Sequence, residues 1–163
     1  MLENIILIGM PGSGKSTTGV QLAKHLGLNF IDTDLLIQTH QQQKLQDILN
    51  AQGYQVLRDM EEQELLQLTL ERDLVSTGGS AVYSDKGMQH LKKQGLVIYL
   101  QVSLEEITRR IDNEDSRGIA RPEGQSLEDV YNERIPLYEK YADITIDNNH
   151  YNSIEDIASK ITF

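Results

Sequence analysis

The segment Gly9-Met10-Pro11-Gly12-Ser13-Gly14-Lys15-Ser16 limits the fold more than any other stretch of this 163-residue chain. It fits the pattern G-x-x-x-x-G-K-[ST], directly after the aliphatic run Ile5 to Ile8 and directly before a helical pattern carrying Val20, Leu22, Ala23 and Leu26. A strand, a glycine-rich turn and a helix in that order point backbone N–H groups and a helix N-terminus at an anion. Lys15 is then expected to bridge the β- and γ-phosphates of a nucleoside triphosphate. Ser16 offers a hydroxyl to Mg2+, a cation that prefers oxygen ligands. Gly12, Ser13, Gly14, Lys15, Ser16 and Thr17 are the expected nucleotide contacts.

Strand-length apolar runs alternate with longer helical patterns along the whole chain, which indicates one α/β domain over 1–163 with right-handed crossovers. The expected strands are Asn4 to Ile8, Leu28 to Ile31, Asp73 to Ser76, Leu96 to Leu100 and Asp143 to Ile146. Most are aliphatic on both faces, as a buried parallel sheet requires. Helices are expected near 15–26, 53–71, 84–94, 103–111, 126–141 and 153–161, and residues 112–125, charged and without apolar period, read as a mobile loop. The run His40 to Gln43 reads as a solvated helix end or connection. A formal charge of −10 argues against nucleic acid or anionic membrane as a principal partner, and the absence of cysteine fits the cytoplasm and excludes thiol chemistry. His25, His40, His90 and His150 lack metal-site spacing.

The second strand ends in Phe30-Ile31-Asp32-Thr33-Asp34, where loops of open α/β sheets reach the ligand crevice. Asp32 and Asp34 share a face if the segment is extended, one suited to Mg2+ through water and the other to a substrate hydroxyl. The competing reading is a helix cap followed by an acid in the first turn. Of seven arginines, five lie late, at 109, 110, 117, 121 and 134, which concentrates positive charge in an acidic chain. Arg58 and Arg134 together could clamp a substrate carboxylate, since the planar guanidinium fork matches that group. Paired or solvated helix residues are the alternative reading for both.

Taken in order, Gly9 to Ser16, Asp32-x-Asp34, Arg58-x-x-Glu61, Gly78-Gly79, Arg121-Pro122 and Arg134-x-Pro136-x-Tyr138 resemble the motifs of the shikimate kinase family over almost the whole chain. The resemblance implies a three-layer α/β fold with a five-stranded parallel sheet of order 2-3-1-4-5 and helices on both faces. It also implies a substrate-binding region near 33–61, a lid near 112–125, and ATP-dependent phosphorylation of the shikimate 3-hydroxyl in a cytoplasmic monomer. Carried onto this sequence, it assigns Mg2+ to Ser16 and Asp32, the acceptor to Asp34, Arg58, Gly79 and Arg134, the adenine face to Arg110, and a charge clamp on the transferring phosphate to Arg121, with Arg117 as a rival for the clamp. Lys15, Asp34 and Arg121 are the expected catalytic set. The chain departs from the family at Ser80, where a third glycine is usual, at Leu57 and Tyr54, where Phe and Glu are favoured, and in a longer lid. Those departures keep open a kinase for another hydroxy acid such as gluconate; a regulatory module that binds nucleotide without turnover is a second alternative, against which the intact Asp34, Arg58 and Arg134 set argues.

Overall fold

Four fully buried aliphatic residues, Ile5–Ile8, form strand β1 at the centre of a five-stranded sheet of order β2-β3-β1-β4-β5. The computed structural model describes residues 4–112 and 119–161. The other strands are β2 (Asn29–Asp32), β3 (Asp73–Ser76), β4 (Leu96–Gln101) and β5 (Ile144–Asp147), and all pairings are parallel. Alternation along β1 explains its composition. Ile6 and Ile8 join Val75, Val97 and Tyr99 in one core, whereas Ile5 and Leu7 join Leu74, Ile98 and Leu100 in the other. Each face needs its own cover, so a strand that is apolar on both sides encodes a three-layer fold.

Helices α1 (Lys15–Leu26) and α8 (Ile154–Lys160) cover the Ile5 face through Leu22, Ala23 and Ile157. The Ile6 face lies under α4 (Tyr54–Gln67), α5 (Asp85–Lys92), α6 (Leu104–Asp112) and α7 (Leu127–Tyr141), which contribute Leu65, Met88, Ile107 and Tyr138. Burying side chains of this size stabilises by about 1.5–3 kcal/mol each. The start of α7 is fixed by a capping box between Ser126 and Asp129, and the helix continues through Pro136.

Between β2 and α4 the chain forms two short helices, α2 (Thr33–Gln41) and α3 (Leu45–Gln52), that no apolar periodicity announced. They have their own small core of Ile37, Ile48 and Leu57 with Ala120. The His40 to Gln43 run is the exposed end of α2, closed by Gln42 at a φ of 54°. Of the expected loop 112–125, residues 113–118, with Arg117, lie outside the described residues; Asp112 ends α6, and 119–126 lead into α7. Among the described residues no helix is long and apolar enough to cross a membrane.

The loop after β1 is tied to the far end of the sheet. Gly14 caps α1 with a φ of 93°, and a Cβ there would lie 2.8 Å from the Asn148 Nδ2. That amide, fully buried after β5, donates to the Ser13 carbonyl at 2.8 Å. Asn148→Ala leaves a buried carbonyl without its donor, so it is expected to cost about 2 kcal/mol. The midpoint of a urea unfolding curve measures this loss.

Candidate active site

The glycine-rich loop closes on its own lysine. Lys15, buried in the first turn of α1, donates from Nζ to the Gly9 carbonyl at 2.7 Å and the Met10 carbonyl at 2.9 Å. Beside it, the Ser16 hydroxyl donates to Asp32 Oδ2 at 2.9 Å. The other Asp32 oxygen accepts from the backbone N–H groups of Asp34 and Leu35 and so caps α2. The cap reading of Asp32 is therefore borne out, and the oxygen not used by the cap is the one that meets Ser16. Two oxygen donors at the loop suit Mg2+, which takes few protein ligands and fills its octahedron with phosphate oxygens and water. Among the described residues no cluster of three or more His, Cys, Asp or Glu side chains offers a rival metal site.

A cleft of about 380 Å3 runs from this loop to a second polar group of side chains. Lys15, Ser16 and Thr17 line it together with Asp34, Glu61 and Arg134, and the Lys15 charge acts on the Glu61 carboxyl. Ile37, Leu45, Leu57, Ile119 and Ala120 supply its apolar lining. Such a lining, more polar than apolar with several placed charges, suits a small polar ligand.

Gly78 makes the acceptor end possible. A Cβ on that residue would lie 2.0 Å from Glu61 Oε1 and 2.7 Å from Asp34 Oδ1, so both carboxyl groups occupy the room that a side chain would take. The Gly78 N–H donates to Thr33 Oγ1 at 3.1 Å, which fixes the turn. The carbonyl of Gly79 accepts from the Tyr138 hydroxyl at 2.6 Å, and Tyr138 stacks on Tyr99 with ring centres 5.1 Å apart. Ser80, the departure from three glycines, donates its hydroxyl to Glu61 Oε2 in a very short contact.

Both expected carboxylate-binding arginines reach one backbone group. Arg58 donates to the Ala120 carbonyl at 3.1 Å, and the almost fully buried Arg134 donates to it at 2.8 Å. Arg58 is held between aromatic faces, 3.7 Å from the centre of the Tyr83 ring and 4.9 Å from that of Tyr54. Tyr54, a departure at sequence level, thus supports the arginine beside it. Leu57 contributes only apolar wall.

The adenine expectation for Arg110 meets a different arrangement. Its side chain, 7% exposed, donates to the carbonyls of Gly12 at 3.1 Å, Asn148 at 2.8 Å and Asn149 at 3.1 Å. Tyr151 lies over it, 4.6 Å from guanidinium carbon to ring centre, and itself lines the cleft. Arg109, its neighbour, is the solvated one, and Arg109 and Arg110 both bond to Glu106, which holds that carboxyl near 2. Arg121 is half-buried and stands outside the residues that line the cleft. Arg117 lies outside the described residues.

Sequence reading gave Glu61 no role of its own, although a signal was present. Leu57, Glu61 and Leu65 recur at intervals of four and form the buried stripe of α4, so an acid interrupts an apolar face. Burial, then the charge of Asp34, pushes the Glu61 carboxyl up to about 7 from 4.5, against the lowering by the Ser80 hydroxyl, Arg134 and Lys15. A carboxyl whose folded value lies above its unfolded value stabilises fully below the unfolded value. That contribution is lost as pH rises from about 4.5 through about 7, on the order of 3 kcal/mol in total. Glu61→Gln removes the titration. At pH 8 the variant is expected to need more urea to unfold than the parent chain, and at pH 5 to show no such gain.

A family model for shikimate kinase matches residues 11–162. A shikimate kinase of Clostridium botulinum is 38% identical over 157 residues, which cover 94% of this chain and 92% of that protein. One of Haemophilus influenzae is likewise 38% identical, over 93% of this chain and 86% of that one. Among solved structures, shikimate kinase from Acinetobacter baumannii in complex with shikimate superposes with a TM-score of 0.87 at 32% identity, covering 98% of this chain and 90% of that one. Matched over nearly its whole length by the family model, by sequence relatives and by a solved fold, the chain belongs to the shikimate kinase family.

Proposed function

We propose that the chain transfers the γ-phosphoryl group of ATP to the 3-hydroxyl of shikimate, and that it does so as a monomer. The observation that carries this reading is that Lys15 and Ser16 line the same cleft as Asp34 and Arg134. One chain thereby supplies both a triphosphate cradle and an acceptor site for a hydroxylated acid.

Lys15 balances charge on the β- and γ-phosphates, and the backbone of Gly12 to Thr17 holds the rest of the chain of phosphates. Mg2+, held by Ser16 and by Asp32 through water, would supply further neutralisation between those phosphates. Asp34 accepts a hydrogen bond from the acceptor hydroxyl and aims its oxygen at phosphorus. In a loose transition state the new bond forms late, so alignment matters more than early removal of the proton. Arg58 and Arg134 bind the acceptor carboxylate with guanidinium donors that now serve the Ala120 carbonyl. Gly79 offers backbone without side-chain obstruction. The apolar walls exclude water, the competing phosphoryl acceptor. Arg121 would reach the phosphates only if 119–126 swing toward the cleft, which makes it a group specific to the closed state. Arg110 supports the nucleotide end from behind the loop, with Tyr151 above it.

The test is ADP release from Mg·ATP with and without shikimate. Shikimate-dependent release is expected, and release unaffected by shikimate rejects the acceptor assignment. Asp34→Asn keeps the shape but weakens the acceptor of the hydroxyl proton, so kcat is expected to fall by about 100- to 10,000-fold. Arg121→Ala is expected to lower kcat by about 1,000-fold while leaving the Kd for shikimate nearly unchanged. A normal kcat in Arg121→Ala together with that loss in Arg117→Ala transfers the clamp to Arg117.

A further inference from the structure

Behind the main cleft lies a second cavity of about 280 Å3, lined by Arg58, Glu62, Ala81 and Tyr83 among others. Glu61 and Ser80 line both cavities. Their short hydrogen bond is thus part of the partition between them. Glu61 is 3% exposed, and while Oε2 takes the Ser80 hydroxyl, Oε1 has no hydrogen-bond partner among the described residues. A buried carboxyl oxygen left without a donor is costly unless something supplies one. The oxygen concerned lies against Gly78 beside Asp34, at the end of the cleft where an acceptor with several hydroxyl groups would lie.

We propose that Ser80 is a positioning residue for acceptor recognition: its hydroxyl holds Glu61 in the partition so that Oε1 receives a hydroxyl of the acceptor. The proposal rests on the shikimate kinase reading. A glycine at position 80 supplies neither the hydroxyl nor the bulk of the wall, so Ser80 would be a local solution of this chain to fixing the acid. The groups that face Glu61 are Asp34 from α2, Lys15 from α1, Arg134 from α7 and Ser80 itself. With one like charge and two opposite charges nearby, the orientation of the carboxyl needs a dedicated donor. Ser80 supplies it.

The experiment compares KM for shikimate, KM for ATP and kcat in the parent chain and in S80A, S80T, E61Q and S80A/E61Q. S80A is expected to raise KM for shikimate about tenfold, with KM for ATP and kcat within about twofold, and S80T, which keeps the hydroxyl, to recover most of the difference. Because Ser80 acts through Glu61, S80A added to E61Q is expected to change KM for shikimate by less than twofold. An unchanged KM for shikimate in S80A overturns the proposal. So do equal losses for ATP and shikimate with no recovery in S80T, or effects of S80A and E61Q that simply multiply. If S80A fails to fold, the decision passes to S80G: a raised KM for shikimate alone supports the role, and an unchanged KM rejects it. A parent chain with no shikimate-dependent turnover removes the functional reading and this proposal with it, whereas normal parent turnover with unaltered variants removes this proposal alone.

Discussion

Two carboxyl groups, Asp34 and Glu61, crowd the bare Cα of Gly78, and much of the cleft is arranged around the cost of keeping them there. Burial, and after it the like charge of Asp34, raises the proton affinity of Glu61. Lys15 and Arg134 supply the opposing charge from α1 and α7, so an acidic chain keeps two of its cations inside. Each binds backbone carbonyls, Lys15 those of Gly9 and Met10 and Arg134 that of Ala120. The cleft is therefore set up electrostatically before any ligand enters, as pre-organised catalysis by charge requires.

The sheet makes this arrangement rigid. Lys15, Asp34 and Gly78 follow β1, β2 and β3 within a few residues, and the parallel register brings the three strand ends side by side. Asp32 sharpens the effect because one of its oxygens starts α2 while the other meets Ser16. Movement of α2 would carry Asp34 with it and disturb the loop hydroxyl at the same time. A site assembled at strand ends gains its precision from the core beneath it, here two clusters sharing one central strand.

Much of this was legible before the fold was known, and the reasons differ by residue. The segment Gly9 to Ser16 encodes its geometry locally, so strand, turn and helix followed from the residues alone. The five strands were found within one or two residues, because runs that are apolar on both faces have few other uses. Helices α2 and α3 were not, since they bury only a narrow face under a small core and show no sustained period. Glu61, Tyr83 and Asn148 were missed as contributors for a different reason. Their meaning lies in partners 19, 50 and 135 positions away along the chain, which no local pattern reveals. Tyr54 looked like a loss of an acid and is a cation–π support for Arg58. The adenine role expected of Arg110 came from the family resemblance, and its three carbonyl partners, which no local pattern reveals, tie it to the loop and to the chain after β5.

The shared Ala120 carbonyl links acceptor binding to the chain that leads into α7. Arg58 and Arg134 both donate to it, and under the proposed function the same two side chains take the acceptor carboxylate. A neutral carbonyl is the weaker partner. Charge-assisted pairing with a carboxylate is roughly twice as strong as a bond to a neutral acceptor, so an arriving acid competes for donors that the carbonyl already holds. Each bond it takes frees residues 119–120 from the cleft wall, and each bond it leaves keeps them there. Affinity for the acceptor and the position of Ile119 and Ala120 are then two readings of one equilibrium, and by linkage whatever draws 119–126 toward the phosphates must alter the hold on the acceptor by the same factor.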